Sequence, residues 1–448
     1  MTSRSRQLLL IAALATASHA QAADILGVFR QAQSADAVYA GARATWAATQ
    51  ERIPQGRAGL LPQVSVTANT QHNDRQLSFR TNNPIFAPSS TTFASNAITL
   101  QITQPIFRRQ NSIAYEQAKT QVDQADAQFA QAAQDLILRV AQGYFDVLLA
   151  QDNVALAQAQ KAAIGQQLEQ AKRNFEVGTA TITDTHEAQA RYDLTVSQEI
   201  ANLNDLELRR RALEQIIARP APPLAPLSTK LPLRPPQPAQ MDTWVDEARR
   251  TNLQVKAAEA GVELANQTVE RNRAGHYPTL DAVASYQDVG AGAGVQGALT
   301  PGYDAKVKAI GVQLAIPIYQ GGLVNSQVRE ALANEDRARQ DLENARRTAE
   351  LNVRQAYLGV SSGLAQVQAL QAALVSSESQ LESTRLGQQV GVRTQVDILN
   401  AQQQLYTARR DLAQARYNYV LSLLRLKAAV GQLAEDDLVR INEWLGNA

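Results

Sequence analysis

Asp184, His186 and Glu187 place two carboxylates and an imidazole within four positions, which are ligand types of a metal site. Successive residues on a helix do not share a face, and no second histidine stands nearby, so the three suit a helix end better than a metal centre. His19, His72, His186 and His276 are scattered, and there is no cysteine, which removes disulfides, thiolate ligands and a thiol nucleophile. No G-x-x-x-x-G-K-[ST] run occurs to cradle a nucleotide phosphate, and no nucleophile, base and carboxylate form a recognisable set. The sequence predicts no catalytic residues, no cofactor and no resident metal. Asp184 matters for another reason. Val177-Gly178-x-x-Thr181-x-x-Asp184 returns as Val390-Gly391-x-x-Thr394-x-x-Asp397.

That return belongs to a duplication. Tyr144 and Tyr357, Val177-Gly178 and Val390-Gly391, Asp184 and Asp397, and Ala188-Gln189 and Ala401-Gln402 all keep one offset of 213 residues. Arg57-Ala58-Gly59-Leu60-Leu61-Pro62 likewise resembles Arg273-Ala274-Gly275-His276-Tyr277-Pro278, and Gln104-Pro105-Ile106-Phe107 resembles Ile316-Pro317-Ile318-Tyr319. Chance does not hold such a register, so the chain is two copies of one plan, 23–219 and 241–433. Between them, 220–240 holds eight of the 16 prolines, so it is an extended connector, and Leu224, Leu227, Leu231 and Leu233 give it surface to pack. A terminal segment, 434–448, follows.

Each repeat contains helices of unusual length. No proline interrupts Pro105 to Pro220, and none follows Pro317. Both stretches are rich in Ala, Gln, Leu, Glu and Arg, strong helix formers. Ile398, Leu405, Leu412, Tyr419 and Leu426 fall seven apart, beside the small row Ala401, Ala408, Ala415 and Ser422. In the first repeat Val140, Val147 and Val154 form a row flanked by Leu136, Gly143, Ala150 and Ala157. A seven-residue apolar repeat makes helices supercoil, and the small row lets backbones approach. The helices break at Glu176–Thr181 and Gln389–Thr394, where Gly and β-branched residues interrupt them. Each repeat is therefore a long helical hairpin with the V-G-x-x-T-x-x-D motif at its tip.

Two candidate strands precede each hairpin. Gln63–Thr70 and Ile98–Thr103 alternate apolar and polar residues, as do Thr279–Tyr286 and, less regularly, Lys308–Leu314. Polar loops, His72–Ser95 and Gln287–Asp304, join the members of each pair. Such strands fit a small soluble β-domain capping a coiled coil, or a membrane barrel with long loops at one end. Four strands cannot close a barrel, since about eight is the single-chain minimum, whereas three copies would supply twelve.

The N-terminus favours the barrel. Arg4 and Arg6 precede the apolar run Leu8–Ala15, and Ala20-Gln21-Ala22 supplies a small-residue cleavage site, together a secretory leader ending at residue 22. No later segment approaches the roughly 18–20 apolar residues of a membrane-spanning helix, which excludes a helical membrane protein but not a barrel. The net charge is +1, and loss of Arg4 and Arg6 makes the mature chain formally −1, so nothing attracts nucleic acid. With 45% hydrophobic but only 5% aromatic residues, the composition suits long, closely packed helices.

The run Val390–Ala401, continuing through Ala415-Arg416-Tyr417-Asn418-Tyr419, resembles the TolC family of outer-membrane export channels. So do Ile316–Gly322, Leu60-Leu61-Pro62-Gln63 and Phe175-Glu176-Val177-Gly178, and the likeness spans nearly the whole mature chain. It implies an α+β fold in which a homotrimer builds a 12-stranded barrel in outer-membrane lipid and a helical tunnel in the periplasm. The connector and the terminal segment would form an equatorial belt. By the same resemblance Asp397 would form a ring of three carboxylates at the periplasmic aperture, favouring cations. Family members often carry a second aspartate one turn later, where this chain has Asn400. Arg393 would latch the closed state onto Thr183 and Asp184 of the neighbouring hairpin, and Gln388 stands where the family has a latching tyrosine. Without the resemblance, Arg393 and Asp184 read as solvated charges worth about 0–1 kcal/mol. Val177, Gly178, Thr179, Val390, Gly391 and Val392 match the adaptor-contacting tips. The implied partners are a periplasmic adaptor and an inner-membrane transporter of the RND or ABC type. The implied function is a passive conduit for drugs, other small molecules or type I secreted proteins, opened as its inner helices uncoil.

A trimeric coiled-coil surface adhesin would share the leader, the heptads and a membrane β-part. Its strands should lie at the C-terminus, whereas here they precede each hairpin. A periplasmic adaptor would carry a single hairpin between compact β-domains, not two in tandem.

Overall fold

The computed structural model describes residues 22–78, 80, 88–228, 231–293 and 300–446. Ala20 and the rest of the leader up to residue 21 lie outside them. Helices α1 (Ile25–Ala35), α2 (Ala37–Gln50) and α3 (Arg52–Ala58) lead into strands β1 (Gln63–Leu77) and β2 (Ser89–Phe107). The hairpin α4 (Arg109–Glu176) and α5 (Ile182–Ile217) follows. The second repeat restates the series as α6 (Met241–Thr251), α7 (Leu253–Arg273), β3 (Thr279–Ala291), β4 (Tyr303–Ala315), α8 (Leu323–Gln389) and α9 (Gln395–Val430). A short α10 (Glu435–Asn442) follows. At ~1.5 Å per residue, the 68 residues of α4 extend for about 100 Å.

Packing divides the chain into two units that cut across the repeats. One takes the residues up to Thr45, Ala127–Lys256 and those from Glu343 on; the other takes Trp46–Asp126 and Ala257–Leu342. The latter contains an antiparallel sheet in the order β1-β2-β3-β4, so the middle pair joins the two repeats. The strands outrun their alternating cores. Pairing continues to Leu77↔Ser89 and Ala291↔Tyr303, so much of what the sequence predicted as loop is strand. Out there both faces of β1 and β2 are largely polar, so alternation vanishes while the backbone ladder persists, whereas in β4 Tyr303, Ala305 and Val307 still alternate with Asp304, Lys306 and Lys308. Below the sheet, the Arg108 guanidinium grips the buried Asp281 carboxylate at 2.7 and 2.5 Å, fixing the turn from β2 into α4 against β3.

In the other unit the heptad rows form the core. Val140, Val147 and Val154 are buried, as are Ile398, Leu405, Tyr419 and Leu426 of the large row and Ala401, Ala408 and Ala415 of the small one. Each such Val or Leu contributes roughly 1.5–3 kcal/mol of burial. One expectation is corrected here: by length and composition, a stretch of α8 is apolar enough to cross a bilayer. Little of that stretch is buried within the single chain. The row Val353, Val360 and Val367 of this helix is fully buried in the core, so part of its apolarity serves helix packing.

The connector is tied down by both ends of the chain. Ala23 bridges to Leu224, and Leu227 bridges to Leu445. The buried Tyr144 hydroxyl donates between the carbonyls of Ala225 and Ala23, at 2.8 and 3.1 Å. Leu224 and Leu227 are buried, and Leu231 and Leu233 pack partly against the same cluster.

Candidate functional site

The two hairpin tips share one backbone. In the first, Thr179 N–H donates to the Asn174 carbonyl and Gly178 N–H to that of Phe175; in the second, Val392 N–H donates to Gly387 and Gly391 N–H to Gln388. Gly178 and Gly391 sit at φ of 78° and 81°, which L side chains rarely adopt, so glycine makes this turn possible. Thr181 and Thr394 then cap the return helices. The Asp184 Oδ2 accepts from Thr181 N–H at 3.0 Å and Oγ1 at 2.8 Å, and the Asp397 Oδ2 accepts from Thr394 N–H at 2.8 Å and Oγ1 at 3.0 Å. These are reciprocal capping boxes with Asp in place of the usual Glu. Each aspartate spends one oxygen on the cap and keeps Oδ1 free among the described residues.

The hydrogen bonds from Thr394, with the Arg393 charge beside it, hold the Asp397 carboxyl below the ordinary aspartate range, so it stays ionised in mild acid. Arg393 lies along its own tip, its Cγ set against Gly387, and makes no ion pair with Asp184 within one chain. Thr183 is exposed, and the Gln388 side chain makes no hydrogen bond among the described residues. Val177, Val390 and Val392 are exposed apolar side chains. The D-x-H-E group does not converge, because Asp184 turns to Thr181 while Glu187 lies 3.7 Å from Arg191.

Residues that sequence reasoning missed join the two hairpins. Arg191 on α5 donates to Asn400 Oδ1 at 3.0 Å, so the position of the family's second aspartate is engaged by a cation. Gln395 donates to Gln167, and Gln160 to Gln403 at 2.6 Å. Higher up, the Tyr417 hydroxyl donates to Asp152 Oδ2 at 2.7 Å, and burial pushes that carboxyl above its ordinary range. The T-x-x-D signal of the capping boxes was present in the sequence but was read only as part of the tip motif. The pairs between hairpins left no signal, since their partners stand more than 200 residues apart.

The sheet has two unlike faces. Val64, Ile102, Ala284 and Ile310 lie opposite one another on one face, next to the row Val66, Leu100, Tyr286 and Lys308. Ile310 is 89% exposed. The other face presents Ser65, Gln101, Ser285 and Ala309, then Thr67, Thr99, Gln287 and Val307, and is polar except at its β4 edge. An apolar exterior and a polar interior are what a barrel strand needs in lipid.

The sequence profile described as Outer membrane efflux protein matches residues 28–219 and 244–432. The chain belongs to that family. Outer membrane protein TolC of Vibrio cholerae is 35% identical to it, over 97% of each chain. Proteases secretion protein PrtF of Dickeya chrysanthemi is 30% identical, over 99% of this chain and 96% of its own length. The crystal structure of the outer membrane protein VceC from Vibrio cholerae matches with a TM-score of 0.75, covering 91% of this chain and 96% of that one. At 18% identity, that last match is one of fold. The protein is thus an outer-membrane efflux and secretion channel of the TolC family, α+β in class, with its tunnel in the periplasm. Its relatives are channels rather than enzymes, and the adhesin reading is not supported.

Proposed function

We propose that three copies assemble into the working channel. Within one chain β1 and β4 each keep an unpaired edge, and an open edge cannot persist in lipid. Pairing β4 of one copy with β1 of the next closes twelve strands. The exposed Leu194 and Leu208 of α5, and Leu351 and Leu358 of α8, are apolar surface for the neighbouring copy to cover.

The tips are the gate in this reading. Asp397 of each copy lines the aperture as a carboxylate ring, and Asn400, held by Arg191, adds no second ring. Arg393 reaches Thr183 and Asp184 of the neighbouring hairpin, with Gln388 as a weaker second link. An adaptor docks on Val177, Gly178, Thr179, Val390, Gly391 and Val392, breaks this latch, and lets the inner hairpins uncoil. Energy enters from an inner-membrane transporter of the RND or ABC type, since the chain has no nucleotide loop. The cargo is whatever that transporter selects, small molecules or, as PrtF's name suggests, secreted proteins.

The observation that supports this most is the contrast between the tips. Their backbones match, yet the second carries Arg393 where the first has Ala180. Planar-bilayer conductance tests it. Arg393→Ser combined with Asp184→Ala should raise single-channel conductance, and a wild-type value would refute the latch.

A further inference from the structure

A cavity of about 420 Å³ opens among the connector, α6, the end of α9 and α10. Its walls are largely apolar, with Pro235, Trp244, Leu423 and Trp444 among them. The Trp244 indole N–H already donates to the Pro238 carbonyl at 2.8 Å, so that ring offers a face rather than a donor. The charges around the cavity do not balance. Lys427 is paired with the buried Asp437 carboxylate, and Arg440 lies 3.9 Å from the same group, so two cations share one acid. Arg234 also lines the cavity and has no ion-pair partner among the described residues; Glu443 is the second acid there.

We propose that this cavity is a binding site for a small amphipathic anion. A flat apolar body would lie against the indoles and Pro235, and a sulfonate or carboxylate would meet the surplus positive charge of Arg234 and Arg440. The size fits: small-molecule sites run from about 300 to 1,000 Å³, apolar with a few convergent polar groups. The charge fits too, because a guanidinium at an apolar wall gains most from a planar anion. A ligand there would bridge the connector, α9 and α10. Nothing in the channel reading requires it, so the two stand or fall separately.

Titration with 2-naphthalenesulfonate, and with uncharged 2-naphthalenesulfonamide as its isostere, tests the site. Two of the chain's three tryptophans line the cavity, and Trp46→Phe removes the third from the fluorescence signal. With the full-length mature protein held in amphipol, the sulfonate should quench saturably at one site per chain. It should bind at least about tenfold more tightly than the sulfonamide, the equivalent of one charge-assisted contact. Arg234→Gln should erase that preference, and Leu423→Trp, which fills the cavity, should abolish binding. Non-saturable quenching, equal affinity for both probes, or an unchanged preference in Arg234→Gln would overturn the proposal. Arg234 is exposed, so its variant should fold even if Leu423→Trp does not.

Discussion

Replacing Tyr417 by Phe would remove the hydroxyl that reaches Asp152 across the two hairpins, at 2.7 Å. The ring stays, with its contact to Phe145 at 5.7 Å between centroids, so the loss isolates a hydrogen bond. Asp152 is half-buried, and while it is ionised a hydrogen bond to its charge contributes about 1.5–3 kcal/mol. Once Asp152 is protonated, the same contact joins neutral partners and contributes roughly 0.5–1.5 kcal/mol. The sign follows from burial. A carboxyl whose pKa is raised on folding holds its proton more tightly in the native state, so stability rises as pH falls from the raised value toward the ordinary aspartate range. The Tyr417 hydrogen bond and the Arg416 charge both oppose that rise, and Phe deletes the first of them. The variant should therefore be less stable at pH 8 by about 1.5–3 kcal/mol per chain, and by less at pH 5, because a raised carboxyl takes up its proton more readily as the pH falls. Thermal unfolding of the detergent-extracted protein at both pH values measures this. A deficit that is constant or larger at pH 5 would refute an ionised Asp152 as the partner that matters.

Other positions give independent checks. Asp397 has its carboxyl lowered by Thr394 and Arg393, so cation selectivity should persist on acidification through pH ~4 and fade only below it, as reversal potentials would record. Asp397→Ala should lose that preference at pH 7, and unchanged selectivity would remove the ring. Ala218 caps α5 at φ 52°, so Ala218→Gly should stabilise the chain by about 0.5–1 kcal/mol in chemical denaturation. Gly431 is the opposite case: at φ 87°, an added Cβ would stand 2.5 Å from the Thr251 carbonyl, and Gly431→Ala should cost more than about 2 kcal/mol in the same assay. Ile310→Lys should cost about 2–4 kcal/mol on a lipid-facing strand and reduce outer-membrane yield, whereas Ala309→Lys on the polar face should be tolerated.

Much of the architecture was legible because it is periodic. The offset of 213 residues, the heptad rows and the period-two strand cores each repeat a local pattern, and each corresponds to an element of the structure. The tip motif was legible as a helix break, though the capping role of Thr181 and Thr394 went unread in a T-x-x-D signal that was present. The outer halves of β1 and β2 were missed because polarity on both faces erases alternation, whereas the alternation from Tyr303 to Lys308 in β4 was present and went unread. Helices α1–α3, α6 and α7 were passed over although their composition permits helix. Arg191–Asn400 and Tyr417–Asp152 depend on how one hairpin lies on the other, which no spacing along a single helix encodes.

The β2–β3 seam has an evolutionary consequence. It joins strand two of one repeat to strand one of the next, which is the same junction that β4 would make with β1 of a neighbouring copy. An unfused ancestor of half the length could thus have closed the same cylinder as a hexamer of identical subunits. In such a ring every tip must be alike, and any cation added for one role appears six times. Fusion through the proline connector would lower that symmetry from sixfold to threefold in the proposed trimer. It would permit what the two tips show, Arg393 and Asn400 in one where Ala180 and Glu187 stand in the other. In the proposed trimer, fusion is what would let neighbouring tips differ, so that the Arg393 cation stands in every second tip only.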